Sequence, residues 1–176
     1  VGGVCGWNRA NSTLENSYNT GEVSGYQNVG GVCGENDSST VKGCYNTGMV
    51  SGSYGSYYVG GVCGYNYKTV DGCYNTGNVS GNNYVGGVCG WNGDRGTVQN
   101  SYNIGTVSGD NNVGNVGGVC GGGSNSTDCY YLSDTSGTDS NGGIPKTEAE
   151  FQSGEVAYLL QSKCAEATWG QTLTGP

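Results

Sequence analysis

The hexapeptide Val-Gly-Gly-Val-Cys-Gly occurs five times in this chain and constrains its fold more than any other feature. The copies begin at Val1, Val29, Val59, Val85 and Val116. Self-similarity at such a period is typical of solenoids, propellers and other arrays of stacked units. A unit this short cannot bury a core alone, so the repeats must pack on one another.

Each repeat contains three blocks. The first is the hexapeptide with its tail x-Asn, which ends at Asn8, Asn36, Asn66 and Asn92 in the first four copies. The second is Thr-[Leu/Val]-x-[Asn/Gly]-[Ser/Cys]-Tyr-Asn-[Thr/Ile]-Gly, which begins at Thr13, Thr40, Thr69 and Thr97. The third is x-Val-Ser-Gly, centred on Val23, Val50, Val79 and Val107. Two gaps of variable length between the blocks are rich in Asn, Ser, Asp, Gly and Tyr, which predicts loops.

These blocks predict short strands, because β-branched and aromatic residues lie between Gly, Asn and Ser and no amphipathic helix pattern is present. A propeller blade needs about 40 residues, more than one repeat supplies. We therefore predict an all-β fold, a right-handed parallel β-helix of about five three-strand turns with a small helical C-terminal cap. The predicted repeats are 1–28, 29–58, 59–84, 85–115 and 116–143, and the cap and tail are 144–176.

Equivalent side chains should form files along such a rod. Tyr18, Tyr45, Tyr74 and Tyr102, with Tyr130 as a fifth member, are predicted to stack, as are Asn19, Asn46, Asn75 and Asn103. The valines of the second and third blocks should point inward. If the hexapeptide forms one strand whose side chains alternate between two faces, we expect the face that carries Cys to point into the core, because Cys is among the most buried residue types.

Nine cysteines are present, and their repeat positions indicate packing. Cys44 and Cys73 share a position with Ser17 and Ser101, so this position accepts any small residue. We expect most cysteines to be reduced and buried, and disulfides between adjacent turns are the alternative. The chain has neither a Cys-x-x-Cys pair nor a His, so zinc-site spacings are absent, and we predict no metal and no cofactor.

The period stops near Ile144. Thr147 with Glu150 fits a capping box, and Ser153 fits the start of a second helix. We expect residues 144–170 to form a helical lid in which Phe151, Leu159 and Leu160 cover the last turn. A partner-binding helix is the alternative.

The formal net charge of −8 excludes the basic footprint that nucleic-acid binding requires, and no apolar run is long enough to span a bilayer. Acidic and basic residues are scattered over the variable loops, so paired groups for acid–base catalysis are not evident. We expect a protein that is not an enzyme. Because Val1 lies within the repeat pattern, we also expect the chain to be part of a longer protein.

Gly-Cys-Tyr-Asn-Thr-Gly-Asn-Val-Ser-Gly (residues 72–81) and Tyr-Val-Gly-Gly-Val-Cys-Gly-Trp-Asn (residues 84–92) resemble the GLUG motif. The segment 153–160, with Trp169-Gly170-Gln171, is similar to the sequence that often follows such repeats. Where the family usually has Leu-Val, this chain has Val-Cys, which keeps small apolar character. The resemblance implies a β-solenoid of a secreted or surface-anchored bacterial protein, as in the non-catalytic region of immunoglobulin A1 peptidases, and implies no catalytic residues.

Two functions follow as hypotheses. One is a structural stalk or adhesin-type module at the bacterial cell surface or outside the cell. The other is a module that binds a host glycan or protein through exposed aromatic files. The candidate contact residues are Trp7, Tyr65, Trp91, Tyr18, Tyr45, Tyr74 and Tyr102, and further loop aromatics are Tyr26, Tyr54, Tyr57, Tyr58 and Tyr67.

Overall fold

The computed structural model describes residues 1–110, 115–123, 125–135 and 143–163. It confirms a β-solenoid in which parallel strands of successive repeats stack in register. Four sheets run along the rod. Two of them hold five stacked strands each, which four complete turns of chain connect. The handedness of the coil remains a prediction.

We name the sheets by their residues. The cysteine sheet contains Cys5–Asn8, Cys33–Asn36, Cys63–Asn66, Cys89–Asn92 and Cys120–Gly123. The threonine sheet contains Thr13–Glu15, Thr40–Lys42, Thr69–Asp71, Thr97–Gln99 and Ser126–Thr127. The tyrosine sheet contains Tyr18–Asn19, Tyr45–Asn46, Tyr74–Asn75, Tyr102–Asn103, Tyr130–Leu132 and Ile144–Lys146. The valine sheet contains Val23–Gly30, Val50–Gly60, Val79–Ser80, Asn83–Gly86, Val107–Ser108 and Val116–Gly117.

The second block forms two strands where we expected one, so each turn has more than three strands. The chain turns a corner between the threonine and tyrosine sheets at a residue with positive φ. This residue is Asn16, Gly43, Gly72, Asn100 or Asp128, with φ between 50° and 62°. Gly has no Cβ to clash there, and Asn and Asp tolerate the left-handed region better than other residues. The Asn/Gly alternation in the sequence therefore marks a corner.

The hexapeptide also bends, so our assumption of one alternating strand was wrong. Its first Val-Gly ends a strand of the valine sheet, and its Cys begins a strand of the cysteine sheet. Because of this bend, Val29, Val32 and Cys33 are all fully buried. The expectation that Cys faces inward is confirmed.

The interior contains two hydrophobic clusters. One combines the hexapeptide's second Val and Cys with the valines of the threonine sheet, and the other contains the valines of the valine sheet. The cysteine and valine sheets pack backbone on backbone, since a Cβ on Gly64 or Gly90 would lie about 2.5 Å from backbone atoms of residues 28 or 58. Glycine is required at these positions because any side chain would separate the sheets.

Two asparagine ladders run through the interior. Asn19, Asn46, Asn75 and Asn103 are linked by Nδ2–Oδ1 hydrogen bonds of 2.8 Å, as predicted for this file. A second ladder joins Asn8, Asn36, Asn66 and Asn92 with bonds of 2.8 to 2.9 Å. The ladders satisfy buried amide groups and fix the register of the first four repeats, whereas Gly123 and Tyr131 occupy the equivalent positions of the fifth.

The cysteines from Cys33 to Cys129 are buried, and the sulfurs of Cys33, Cys63 and Cys89 donate to backbone oxygens two residues ahead. All eight cysteines in the described part of the chain are free thiols. Burial raises the pKa of the Cys129 thiol to about 12. Cys164 lies outside the described residues.

The C-terminal segment covers the last turn partly with a strand and partly with helices. Ile144–Lys146 pairs in parallel with Tyr130–Leu132 and so closes the edge of the tyrosine sheet. Helices α1 (Glu148–Gln152) and α2 (Glu155–Lys163) follow, and the capping box of Thr147 and Glu150 is confirmed. Trp169, Gly170 and Gln171, which carry part of the family resemblance, lie outside the described residues.

The helices pack on the side of the tyrosine file. Val156 and Leu160 bury Tyr130, and Phe151 and Leu159 pack against the same cluster. The expectation that Leu160 is buried against the last turn is confirmed, since its side chain is 0% exposed. The edge of the tyrosine sheet is covered by the strand Ile144–Lys146 and not by the helices.

Candidate functional site

The tyrosine file is a continuous stack of parallel rings. Tyr18, Tyr45, Tyr74 and Tyr102 have successive ring centroids 5.1, 4.8 and 5.1 Å apart and interplanar angles of 6° or less. Beyond Tyr102 the stack meets Phe151, at 5.9 Å. Burial raises the pKa of the Tyr102 hydroxyl above its ordinary value. The ring faces within the file are occupied by neighbouring rings, so sugar stacking there would have to displace these contacts.

A second column of side chains runs along the cysteine sheet. Trp7, Glu35, Tyr65, Trp91 and Gly122 occupy the same repeat position and pair in register. Trp7 is 52% exposed, whereas Tyr65 and Trp91 are half-buried. The three predicted aromatic contact residues of this column therefore have different surroundings. Trp7 is separated from the other two by the carboxylate of Glu35.

Tyr65 and Trp91 belong to a connected group of rings that we call the aromatic surface. It consists of Tyr57, Tyr58, Tyr65, Tyr67, Tyr84 and Trp91. Tyr58 lies at its centre, with its ring centroid 5.3 Å from Tyr65, 5.5 Å from Tyr84 and 5.8 Å from Trp91. The rings of Trp91 and Tyr84 meet edge to face with centroids 4.7 Å apart, and both rings pack against Gly122.

Two of these tyrosines have unusual backbone conformations. Tyr58 and Tyr84 directly precede the hexapeptide and have φ of 59° and 55°. Asn28 occupies the same repeat position with φ of 49°, and Asn is a residue that tolerates this region. A bulky residue there costs on the order of 1 to 3 kcal/mol, and such strain often marks functional sites. Both tyrosines take part in the ring contacts of the aromatic surface.

Oxygen acceptors border the aromatic surface. Asn28 Nδ2 donates to Glu35 Oε2 at 2.8 Å, while Asn28 Oδ1 is buried and has no hydrogen-bond partner among the described residues. The pKa of Tyr65 is raised by burial first, and then by its neighbours Tyr67, Tyr58, Glu35 and Asp94. The Glu35 carboxylate lies on the turn next to Tyr65, since the two residues pair in register.

The described residues contain neither a group suited to hold a metal ion nor a helix suited to span a membrane. Within them, no group of three or more Cys, Asp or Glu side chains could hold a metal ion. None of the helices in this part of the chain is long and apolar enough to cross a membrane.

The sequence identified most members of the aromatic surface but missed Tyr84. The available signal was its position directly before the hexapeptide, which it shares with Tyr58. Tyr26 and Tyr54, two other predicted loop aromatics, are highly exposed and are not members of the aromatic surface.

Comparison with known proteins agrees with this repeat structure. The family model described as the GLUG motif matches three times, at residues 25–51, 55–80 and 81–108. No curated protein and no solved structure matches the chain at a significant level. The matched segments cover consecutive turns of the solenoid, including the whole aromatic surface. The chain is therefore a GLUG-motif repeat protein.

Proposed function

We propose that this chain is a non-catalytic structural module, a stalk or adhesin-type spacer, of a larger bacterial protein at the cell surface or outside the cell. The observation that carries this proposal is the in-register stacking of all four sheets, with two buried amide ladders along the same axis. Each repeat adds about 4.8 Å to the rod. Repeat number then sets length while stiffness is kept.

Three further observations support a spacer. A GLUG-repeat β-solenoid is a structural repeat fold. Its acidic surface, with a formal charge of −8, favours solubility and discourages self-association. The strand Ile144–Lys146, which lies outside the repeat pattern, closes a sheet edge.

The proposal is tested by changing the number of repeats. Four additional copies of residues 59–84, inserted after residue 84, should lengthen the particle by about 19 Å. Small-angle X-ray scattering measures this as an increase in maximum dimension, and a variant with four Gly/Ser linkers of equal length serves as the control. Equal scattering profiles for the two insertions, or an unchanged maximum dimension, would contradict the spacer function.

A further inference from the structure

One ring of the side-chain column along the cysteine sheet, that of Trp7, already has a cation stacked on it. The guanidinium carbon of Arg9 lies 4.4 Å from the centroid of the Trp7 ring. A cation above an indole face within about 6 Å is attracted by the ring's quadrupole. Trp7, Tyr65 and Trp91 occupy equivalent positions on the same sheet, so the chain itself shows which ligand chemistry suits an aromatic residue in this column.

Arg9 follows Trp7 by two residues, and the residue at this position differs in later repeats. Tyr67 follows Tyr65 by two residues and stacks on it at 6.1 Å with an interplanar angle of 10°. Gly93 follows Trp91 by two residues and supplies no side chain, and Tyr67 lies beside it. The third and fourth repeats therefore present aromatic rings where the first repeat has a cation and a ring together.

A carboxylate lies beside these rings. Glu35 pairs in register with Tyr65 and accepts a hydrogen bond of 2.8 Å from Asn28 Nδ2, which holds it in place. Lys68 and Arg95 are the nearby cations in sequence, and both are exposed. An incoming donor with positive charge would meet ring faces and the Glu35 carboxylate together, and both interactions strengthen its binding.

We propose that the aromatic surface binds a cationic side chain, arginine foremost, from a basic segment of another protein. This activity goes beyond the spacer function and does not depend on it. The formal charge of −8 steers such a segment toward the module. Planar guanidinium groups suit the site because they stack on rings and pair with carboxylates through the same group.

The test uses the full chain and two synthetic peptides. One peptide carries four arginines spaced by Gly and Ser, and the other carries citrulline, the neutral counterpart, at the same positions. Binding is measured by isothermal titration calorimetry at about 0.15 M salt, where exposed long-range charge effects are screened. We expect binding of the arginine peptide and a loss of at least tenfold in affinity for the citrulline peptide.

Matched variants locate the site. Trp91→Ala and Glu35→Gln should each weaken arginine-peptide binding, by roughly threefold to thirtyfold. Glu35→Gln keeps the ring packing, so it remains informative if Trp91→Ala fails to fold. Tyr54→Ala removes a 95% exposed ring outside the aromatic surface, and Glu22→Gln removes one exposed charge elsewhere, so both should bind as the unaltered chain does.

Several results would overturn the proposal. Equal affinity for both peptides, or no binding of either, would exclude recognition of a cation. An equal effect of Glu22→Gln and Glu35→Gln would show general charge attraction with no site. Binding of a neutral oligosaccharide that Trp91→Ala abolishes, without arginine-peptide binding, would assign the surface to glycans.

Discussion

At the residue scale, an interior asparagine in this solenoid makes hydrogen bonds both along and across the rod. Asn75 Nδ2 donates to Asn103 Oδ1 at 2.8 Å and to the Gly77 oxygen at 2.7 Å, and its Oδ1 accepts from Asn46. Because the amide groups of this ladder are satisfied by their own turn and by the neighbouring turns, the polar interior stabilises one register. A residue that keeps the shape and loses the donors should therefore be poorly tolerated.

We predict that Asn75→Asp destabilises the protein by about 2 to 6 kcal/mol. The substitution keeps the size of the side chain but removes both donors. The Gly77 oxygen then loses its donor, and Asn103 Oδ1, which keeps the Gly105 N–H, faces a carboxylate oxygen in place of an N–H, each at a cost of about 1 to 3 kcal/mol. Urea denaturation measures the change. Asn78→Asp is the control, because Asn78 is exposed and its side-chain oxygen accepts a hydrogen bond from the Thr106 N–H, which an aspartate can also accept. Similar stability of the two variants would refute the importance of the ladder.

Glycine at the sheet contact gives a second prediction at this scale. A Cβ on Gly90 would lie 2.5 Å from backbone atoms of Tyr58 and Val59, whereas one on Gly6, the equivalent residue of the first repeat, would meet nothing within 4 Å. Gly90→Ala should cost about 3 kcal/mol or more, because backbone cannot move aside as a flexible side chain can. Gly6→Ala should be close to neutral. Thermal unfolding of both variants decides the matter, and equal melting temperatures would contradict the close packing.

At the element scale, the two short helices depend on tertiary packing for their stability. A helix of nine residues is marginal alone in water, and α2 buries Val156 and Leu160 against Tyr130. The capping box of α1 and the ion pair of Lys146 with Glu150, 2.9 Å apart, organise the start of the segment. Hydrogen bonds that the Glu150 carboxylate accepts from Thr147 and Lys146 lower the pKa of Glu150 to about 2.

We predict that Leu160→Ala destabilises the C-terminal segment by about 2 to 5 kcal/mol, the usual range for a fully buried leucine. Tyr158→Ala, at a side chain 73% exposed on the same helix, should change stability by less than about 0.5 kcal/mol. Limited proteolysis under native conditions measures both, with cleavage between residues 148 and 163 as the readout. Equal cleavage rates would mean that α2 is not held by Leu160.

At the scale of the whole molecule, the period in the sequence was sufficient to predict the parallel solenoid, the tyrosine file and one asparagine ladder. These features depend only on which residues recur at equal offsets. The bend inside the hexapeptide was not predictable from alternation, since both faces of that segment are apolar. The aromatic surface was predicted only in part, because the contact of Tyr58 with Trp91 depends on a strained corner and on the next turn of the rod.

The last prediction concerns how unfolding spreads along the rod. In a solenoid, stability is approximately the sum of the stability of each unit and the interfaces between neighbouring units. Deleting residues 144–176 removes the strand that pairs with Tyr130–Leu132 and the helices that bury Tyr130. Backbone amides of the last turn should then exchange hydrogen sooner than those of the second turn, whose neighbours on both sides remain.

Hydrogen–deuterium exchange with mass spectrometry tests this gradient in the deleted protein. Protection should fall most over 116–132, less over 85–103 and least over 29–46. The comparison with Leu160→Ala separates the two parts of the cap, because that variant loses helix packing but keeps the paired strand. If the strand closes the sheet, exchange over 130–132 should stay slow in Leu160→Ala and become fast only in the deletion. Uniform protection of all turns in the deleted protein would mean that the C-terminal segment does not stabilise the solenoid.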